Sequence, residues 1–301
     1  MVERLQRQWP TLDIVIEQIR TTGDHNIHAP LTQIGGDGVF VIEIEHALAK
    51  RRIDLAVHSL KDLPTAQPQG LRIVAAGSRE DVRDVLVWHD RSTQPTSPLR
   101  IGTCSLRRTA QMRALFPGVE ILPLRGNVDT RLRKLDAGDY DAIVLAAAGL
   151  HRLNVQERLA GRITYLPIED LMPAPGQGAL ALEIRDEPEM QALVAPLVDA
   201  VVQATTTAER MFMRRLGAGC YLPVAAYGEI RDGLLTLQGL VISLDGQSQV
   251  RVHQSMPWTP ETGVEGAEQL GIELAEQALA RGAAEIIRDL NDAREQERQH
   301  V

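Results

Sequence analysis

Between residues 53 and 148 short apolar runs alternate with stretches of helical period, and that alternation restricts this part of the chain to an α/β fold built on a mostly parallel sheet. IDLAV at 53–57 reads as a buried strand that exits into HSLKDLP, and LRIVAA at 71–76 reads as another. Upstream, TLDIVIEQI at 11–19 alternates like a strand, and the polar loop TTGDHNIHAP follows. A glycine loop at 35–38 then opens onto a helix at 39–50. Ser, Thr and Pro cluster at 92–98, as in a connection between units, and then the pattern repeats. RIGT is a strand, SLRRTAQMRALF a helix and VEILPL a strand; RGNVDTRLRKLDAG leads on to a strongly apolar strand at 142–148. Two related lobes that face each other are expected. A third unit is expected to hold a helix at 205–216 and hairpin-like strands at 224–230, 234–243 and 250–254. It closes with an amphipathic helix at 266–290, and the polar NDAREQERQHV is expected to fray.

At roughly 150 residues per domain, 301 residues suggest two domains or three small ones. Hydrophobic residues at 44% and charged residues at 24% exclude disorder, collagen and fibrous repeats, and ten aromatics leave the aliphatics to fill the cores. Cys104 and Cys220 cannot make a disulfide framework, and no zinc-site spacing occurs. The start MVERLQRQWP lacks the apolar run of a signal peptide, and no stretch reaches the roughly 18 apolar residues of a membrane span. A net charge of −8 argues against general nucleic-acid binding. The expectation is a cytoplasmic protein with neither a membrane nor a nucleic-acid partner.

The helix that opens at Ser105 breaks a local rule. Thr103 or Ser105 is a good N-cap, yet Arg107 and Arg108 fall in the first turn, where the helix dipole disfavours cations. A helix N-terminus with two guanidinium forks at the end of a strand is an anion site; an arginine face with an acidic partner is the competing reading. Arg125 leaves the next strand directly, Gly126 and Asn127 permit a tight turn, and Arg131 follows. Arg152, just past the apolar strand, joins the same rim, whereas Arg133 is expected to pair with Asp129 across a helical turn. Arginines converging from successive strand ends suit a ligand with several carboxylates or phosphates.

HSLKDLP places Ser59, Lys61 and Asp62 at the exit of the first lobe's buried strand. Pro64 stops the turn, so Asp62 can be held at a cleft to exchange protons and stabilise a developing cation; an ordinary Lys61–Asp62 surface pair is the alternative. His58 reads as a hydrogen-bonded structural residue. Cys220, in LGAGCYLP, lies in an ordered turn that can present a thiol, and a small packing residue is the alternative there; Cys104 reads as packing. IGGDGVF lacks the features of a P-loop or a dinucleotide loop and reads as a flap. In PAPGQGALA the chain crosses back between lobes, which makes Gln177 part of a hinge; a contact with ligand is the alternative.

In this order and spacing, HSLKDLP, GTCSLRR, LRGNVDTRL, DAIVLAAAGLHRL, PAPGQGALALE and AERMFMRRLGAGCYLPVAAY closely resemble the porphobilinogen deaminases, also called hydroxymethylbilane synthases, from about Leu5 to about Leu290. The resemblance implies an α/β fold of three domains. Residues 1–79 with 175–197 form a first lobe and 83–172 a second, both like type-II periplasmic binding proteins, with the active site between them. Residues 198–301 form a small α+β domain that supplies a cysteine. The implied activity is that of a transferase of tetrapyrrole biosynthesis. It links four porphobilinogen molecules head to tail, releases ammonia at each step and hydrolyses off hydroxymethylbilane, working from a dipyrromethane cofactor held by a thioether. Cys220 corresponds to the attachment cysteine, and Asp62 to the catalytic aspartate that protonates the departing amine and holds cationic intermediates by charge. Each pyrrole carries an acetate and a propionate, so the growing chain is the polyanion. Arg107, Arg108, Arg125, Arg131 and Arg152 correspond to cofactor- or substrate-binding positions, with Ser59, Lys61, Thr103, Ser105 and Asn127 as lesser contacts. The resemblance further implies a monomer, with porphobilinogen as its small-molecule partner and no metal.

Two departures from the family pattern stand out. The family opens with a strand and a motif R-x-x-x-R-x-S-x-L-A, whereas MVERLQRQWP corresponds to the second half of the helix that follows. A first lobe without that strand is expected to expose strand edges, from a misassigned start or a truncation. In the flap, Gln33 and Asp37 stand where many members carry lysines, and a carboxylate there is expected to weaken the binding of a polyanion. An inactive remnant, or a two-lobed protein that only binds an anion, is the competing functional reading.

Overall fold

The computed structural model describes residues 1–19, 21, 41–90, 98–219 and 222–299, in three sheets. The first sheet places β1 (Leu55–Ser59) and β2 (Leu71–Ala76) on either side of β8 (Leu180–Arg185), which runs antiparallel to both. The chain therefore leaves the first lobe after β2 and returns, once the second lobe is complete, to fill its middle.

The second sheet has the order β5 (Glu120–Leu122), β4 (Arg100–Gly102), β6 (Ala142–Ala146), β3 (Asp84–Trp88), β7 (Ile163–Tyr165). Only β4 with β5 and β4 with β6 are parallel; β3 pairs antiparallel with β6 and β7. The expectation of mostly parallel sheets is thus corrected: β8 and β3 enter from the connections between lobes rather than through a βαβ crossover, and antiparallel neighbours need none. Alternate residues of β3 and β6 feed two cores. Val85, Val87, Ile143 and Leu145 pack on one face, and Leu86, Ala142 and Val144 on the other. This sheet is buried on both sides.

A meander of β9 (Val224–Arg231), β10 (Leu234–Ile242) and β11 (Gln249–Pro257) forms the third sheet. It packs with α7 (Ala200–Arg215) and α8 (Gly263–Ala278), and Phe212, Leu235, Leu237, Leu270 and Leu274 sit in their shared core. The other helices are α1 (Val2–Gln8), α2 (Ile42–Ala49), α3 (Leu106–Leu115), α4 (Val128–Asp136), α5 (Ala147–Arg152), α6 (Pro188–Val194) and α9 (Ala284–Gln299). Among the described residues no helix is long and apolar enough to cross a membrane.

Four local expectations need correction. The apolar run at 142–148 is a strand only to Ala146, and α5 starts at Ala147, because an unbroken apolar run carries no period to separate strand from helix. The helix expected at 266–290 is broken after Ala278, where Gly282 takes a φ of 105° that other residues rarely adopt. Residues 291–299, expected to fray, continue α9, since extending a formed helix avoids the cost of nucleation. Residues 11–19 form no strand: they pair with none among the described residues, and Val15 and Ile16 are 86% and 74% exposed. The flap with Gln33 and Asp37, and the connection at 92–97, lie outside the described residues.

Candidate active site

Ser59 ends β1, and Leu60–Asp62 form a single 3₁₀ turn. Leu60 and Leu63 are buried on either side of it, so the turn is pinned while Asp62 stays exposed. Lys61 Nζ donates to Gln177 Oε1 at 3.2 Å. Burial, reinforced by Arg108, lowers the Lys61 ammonium to about 8.

Facing it, Ser105 caps α3 by accepting from Arg108 N, and Thr103 Oγ1 accepts from Ser105 N at 3.1 Å. Arg107 and Arg108 turn inward. Arg107 Nη1 lies 2.7 Å from Asp84 Oδ2 and donates to Met172 O at 2.7 Å. Arg108 donates to Asp84 Oδ1 from Nη2 at 2.6 Å and to Val144 O from Nη1 at 3.0 Å. The acidic partner of the competing sequence reading therefore exists, but it is buried rather than on a solvated face. Burial opposes ionisation of Asp84, yet the two guanidiniums overcome it and hold its carboxyl well below the usual carboxylate range. Gln177 joins the lobes: its Oε1 accepts from Lys61, and its Nε2 donates to Asp84 Oδ1 at 3.0 Å and Val82 O at 2.7 Å.

Asn127 caps α4 by accepting from Thr130 N, and Arg131 Nε donates to Gly126 O at 2.7 Å. Burial lowers the Arg131 guanidinium, Arg108 adds to the effect and Asp62 opposes it, so the three groups share one electrostatic neighbourhood. Arg125 is half-buried beyond β5. Arg152 Nη2 donates to Gly178 O at 2.7 Å, on the segment that crosses back between lobes. Gly178 there has a φ of 85°, and a Cβ would lie 2.4 Å from Glu80 O. Arg133 donates to Thr130 Oγ1 instead of pairing with Asp129, which lies 4.0 Å from Arg158. His58 is the structural residue expected, 3.0 Å from the buried Glu183 carboxylate. Cys104 is a half-buried free thiol, and Cys220 lies outside the described residues.

Lys61, Arg107, Arg108 and Arg131 thus gather around two carboxylates, Asp62 and Asp84. That excess of positive charge suits a group with several carboxylates, and Asp62 is the exposed acid beside it. Residues the sequence reading missed organise this rim. Asp84 is one. Glu209, fully buried on α7, accepts from Arg79 Nη1 at 2.7 Å and Nη2 at 3.0 Å, and from the backbone N–H groups of Gly176 and Gly228 at 2.7 Å each. The available signal was a charged residue on the buried stripe of α7, seven residues beyond Val202 and three before Phe212.

Residues 1–192 match the family model described as "Porphobilinogen deaminase, dipyromethane cofactor binding domain", and residues 203–280 match "Porphobilinogen deaminase, C-terminal domain". The chain is 44% identical over 287 residues to a porphobilinogen deaminase of Syntrophobacter fumaroxidans, covering 94% of this chain and 91% of that one. It is 46% identical over 292 residues to that of Paraburkholderia phytofirmans, covering 96% and 84%. Among solved structures it is similar to the periplasmic aliphatic sulphonate binding protein SsuA of Escherichia coli, with 14% identity, 92% and 81% coverage and a TM-score of 0.37. The extent of these sequence matches settles the ancestry: the chain belongs to the porphobilinogen deaminase family.

Proposed function

We propose that the chain is a hydroxymethylbilane synthase, a transferase that joins four porphobilinogen molecules head to tail with loss of ammonia and then releases hydroxymethylbilane by hydrolysis. The observation that carries this reading is one exposed carboxylate, Asp62, set beside the cations Lys61, Arg108 and Arg131. Asp62 hands a proton to the departing amine of porphobilinogen and then faces the positive charge that develops on the pyrrole. Lys61, Arg107, Arg108, Arg125, Arg131 and Arg152 meet the acetate and propionate groups, with Ser59, Thr103, Ser105 and Asn127 as further contacts. Their charge draws in a carboxylate-rich substrate that a neutral cleft would not hold. Cys220 is the thiol that holds the dipyrromethane, which when bound supplies the primer pyrroles for elongation.

The domain division in this reading is 1–79 with 175–197, 83–172 and 198–301. The same reading makes the protein a cytoplasmic monomer with a small-molecule substrate and neither a nucleic-acid nor a membrane partner. Intact mass of the purified chain tests it. A covalent addition of two pyrrole rings, abolished by Cys220→Ser, is expected; a folded chain without the addition after expression with ample porphobilinogen rejects the assignment.

A further inference from the structure

We infer that Arg210, on α7 of the third domain, is a positioning residue that holds the turn carrying Asp62 fixed against α7; the inference rests on the function proposed above. The Arg210 guanidinium reaches across to the first lobe. Its Nη1 donates to Leu63 O at 3.1 Å and to Leu60 O at 3.4 Å, and its Nη2 donates to Pro64 O at 2.6 Å. Those carbonyls bracket Asp62 on both sides. Among the described residues no carboxylate lies within ion-pair distance of Arg210, and burial, with Arg214 adding, lowers its guanidinium to about 10. A half-buried cation committed to three neutral carbonyls gives up part of its solvation without a counter-charge. What it secures is geometry, because a planar fork fixes several acceptors at once.

The neighbouring residue extends the same argument. Glu209 binds Arg79 and the backbone N–H of Gly176, in the crossing segment whose Gln177 accepts from Lys61. Two adjacent residues of α7 therefore hold both the turn that carries Asp62 and the partner of Lys61. Helix α7 itself ends at Arg215, five residues before Cys220. The acid-bearing turn and the start of the anchor segment are tied to one helix. Val202, on its first turns, packs with Leu60 and Leu63 in a common core, so the helix and the turn have little freedom to slide.

The test compares the holoenzyme with Arg210→Met and Arg210→Lys, using Arg214→Met, an exposed position on the same helix, to control for lost charge. In Arg210→Met the backbone amides of residues 60–66 are expected to exchange about tenfold faster, with the rest of the first lobe unchanged. Turnover per adduct-bearing molecule is expected to fall about 10–100-fold with KM within about twofold, and Arg210→Lys to recover part of it. Parent-like exchange at 60–66 overturns the inference. So does a loss spread over the whole molecule, with a lowered Tm and unchanged turnover per adduct, which would mark a merely structural residue. Exchange is read with or without an adduct, so a parent chain that lacks adduct and turnover counts against the proposed function and leaves this comparison in force.

Discussion

In the second lobe Asp84 is fully buried and accepts from Arg108 and Gln177 with Arg107 beside it, whereas in the first lobe Asp62 stands exposed at the end of a three-residue turn. The sheets behind them differ in the same sense. β3, which opens with Asp84, is buried on both faces, while β1 leaves Val57 48% exposed. A densely packed sheet can keep two arginines and a carboxylate in a fixed arrangement away from water. A carboxylate that trades protons needs access to solvent and substrate, so its position is set through the backbone: Leu60 and Leu63 beneath, Arg210 on the carbonyls. Under the function proposed above, the buried charges of one lobe act as a static field, and the exposed carboxyl of the other exchanges protons with the substrate.

The largest effect is expected at Asp62 itself. Asp62→Ala is expected to lower turnover by about 10²–10⁴-fold while the covalent adduct and the Tm stay near those of the parent. Retained turnover would remove Asp62 from the mechanism.

Asp84→Asn is the opposite case. It leaves Arg107 and Arg108 buried without a counter-charge and is expected to cost about 3–5 kcal/mol, read from the denaturant midpoint. Because the folded Asp84 carboxyl lies below its ordinary value of 3.8, the stability it contributes is complete above that pH and fades as pH falls below it. Asp84→Asn should therefore also flatten the acid limb of the stability profile; an unchanged limb would mean that other carboxylates dominate.

Lys61 sharpens the contrast with the smallest effect. With its ammonium lowered from 10.5 to about 8, the unfolded chain binds more protons than the folded one between those values. Stability due to this group therefore rises with pH across that window. Above pH 8 the cleft loses a cation, and KM for porphobilinogen is expected to rise by about tenfold or less. In Lys61→Met both trends should disappear, and a KM that still climbs would point to another group.

Much of the second lobe and the whole third sheet were legible in the sequence because their elements carry clear periods. Helix α3 and the meander of β9, β10 and β11 fall close to where patterning puts them. The run at 142–148 and the break at Gly282 were not legible, the first for want of a period and the second because a glycine inside a long helical pattern is often tolerated. Residues 11–19 alternate like a strand, but alternation supplies only one side of a ladder, and no partner strand meets them among the described residues. In the candidate site, two arginines in the first turn of α3 announced that a negative partner was needed. That the partner in the fold is Asp84, on a strand far upstream, follows from the pairing of β3 with β6 and could not be read from spacing.

The α/β class and the family were legible in the sequence alone, and with the family came the expectations of a cationic rim, an acid at Asp62 and an anchoring thiol at Cys220, because these rest on local period and on motifs that the chain carries. Which of these charged groups meet one another was left to the tertiary structure. The fold paired Arg107 and Arg108 with Asp84, set Gln177 between Lys61 and the second lobe's Asp84, and placed Arg210 on the carbonyls around Asp62. Such contacts join residues distant in sequence, and burial fixes their strength by removing the water that would otherwise screen them.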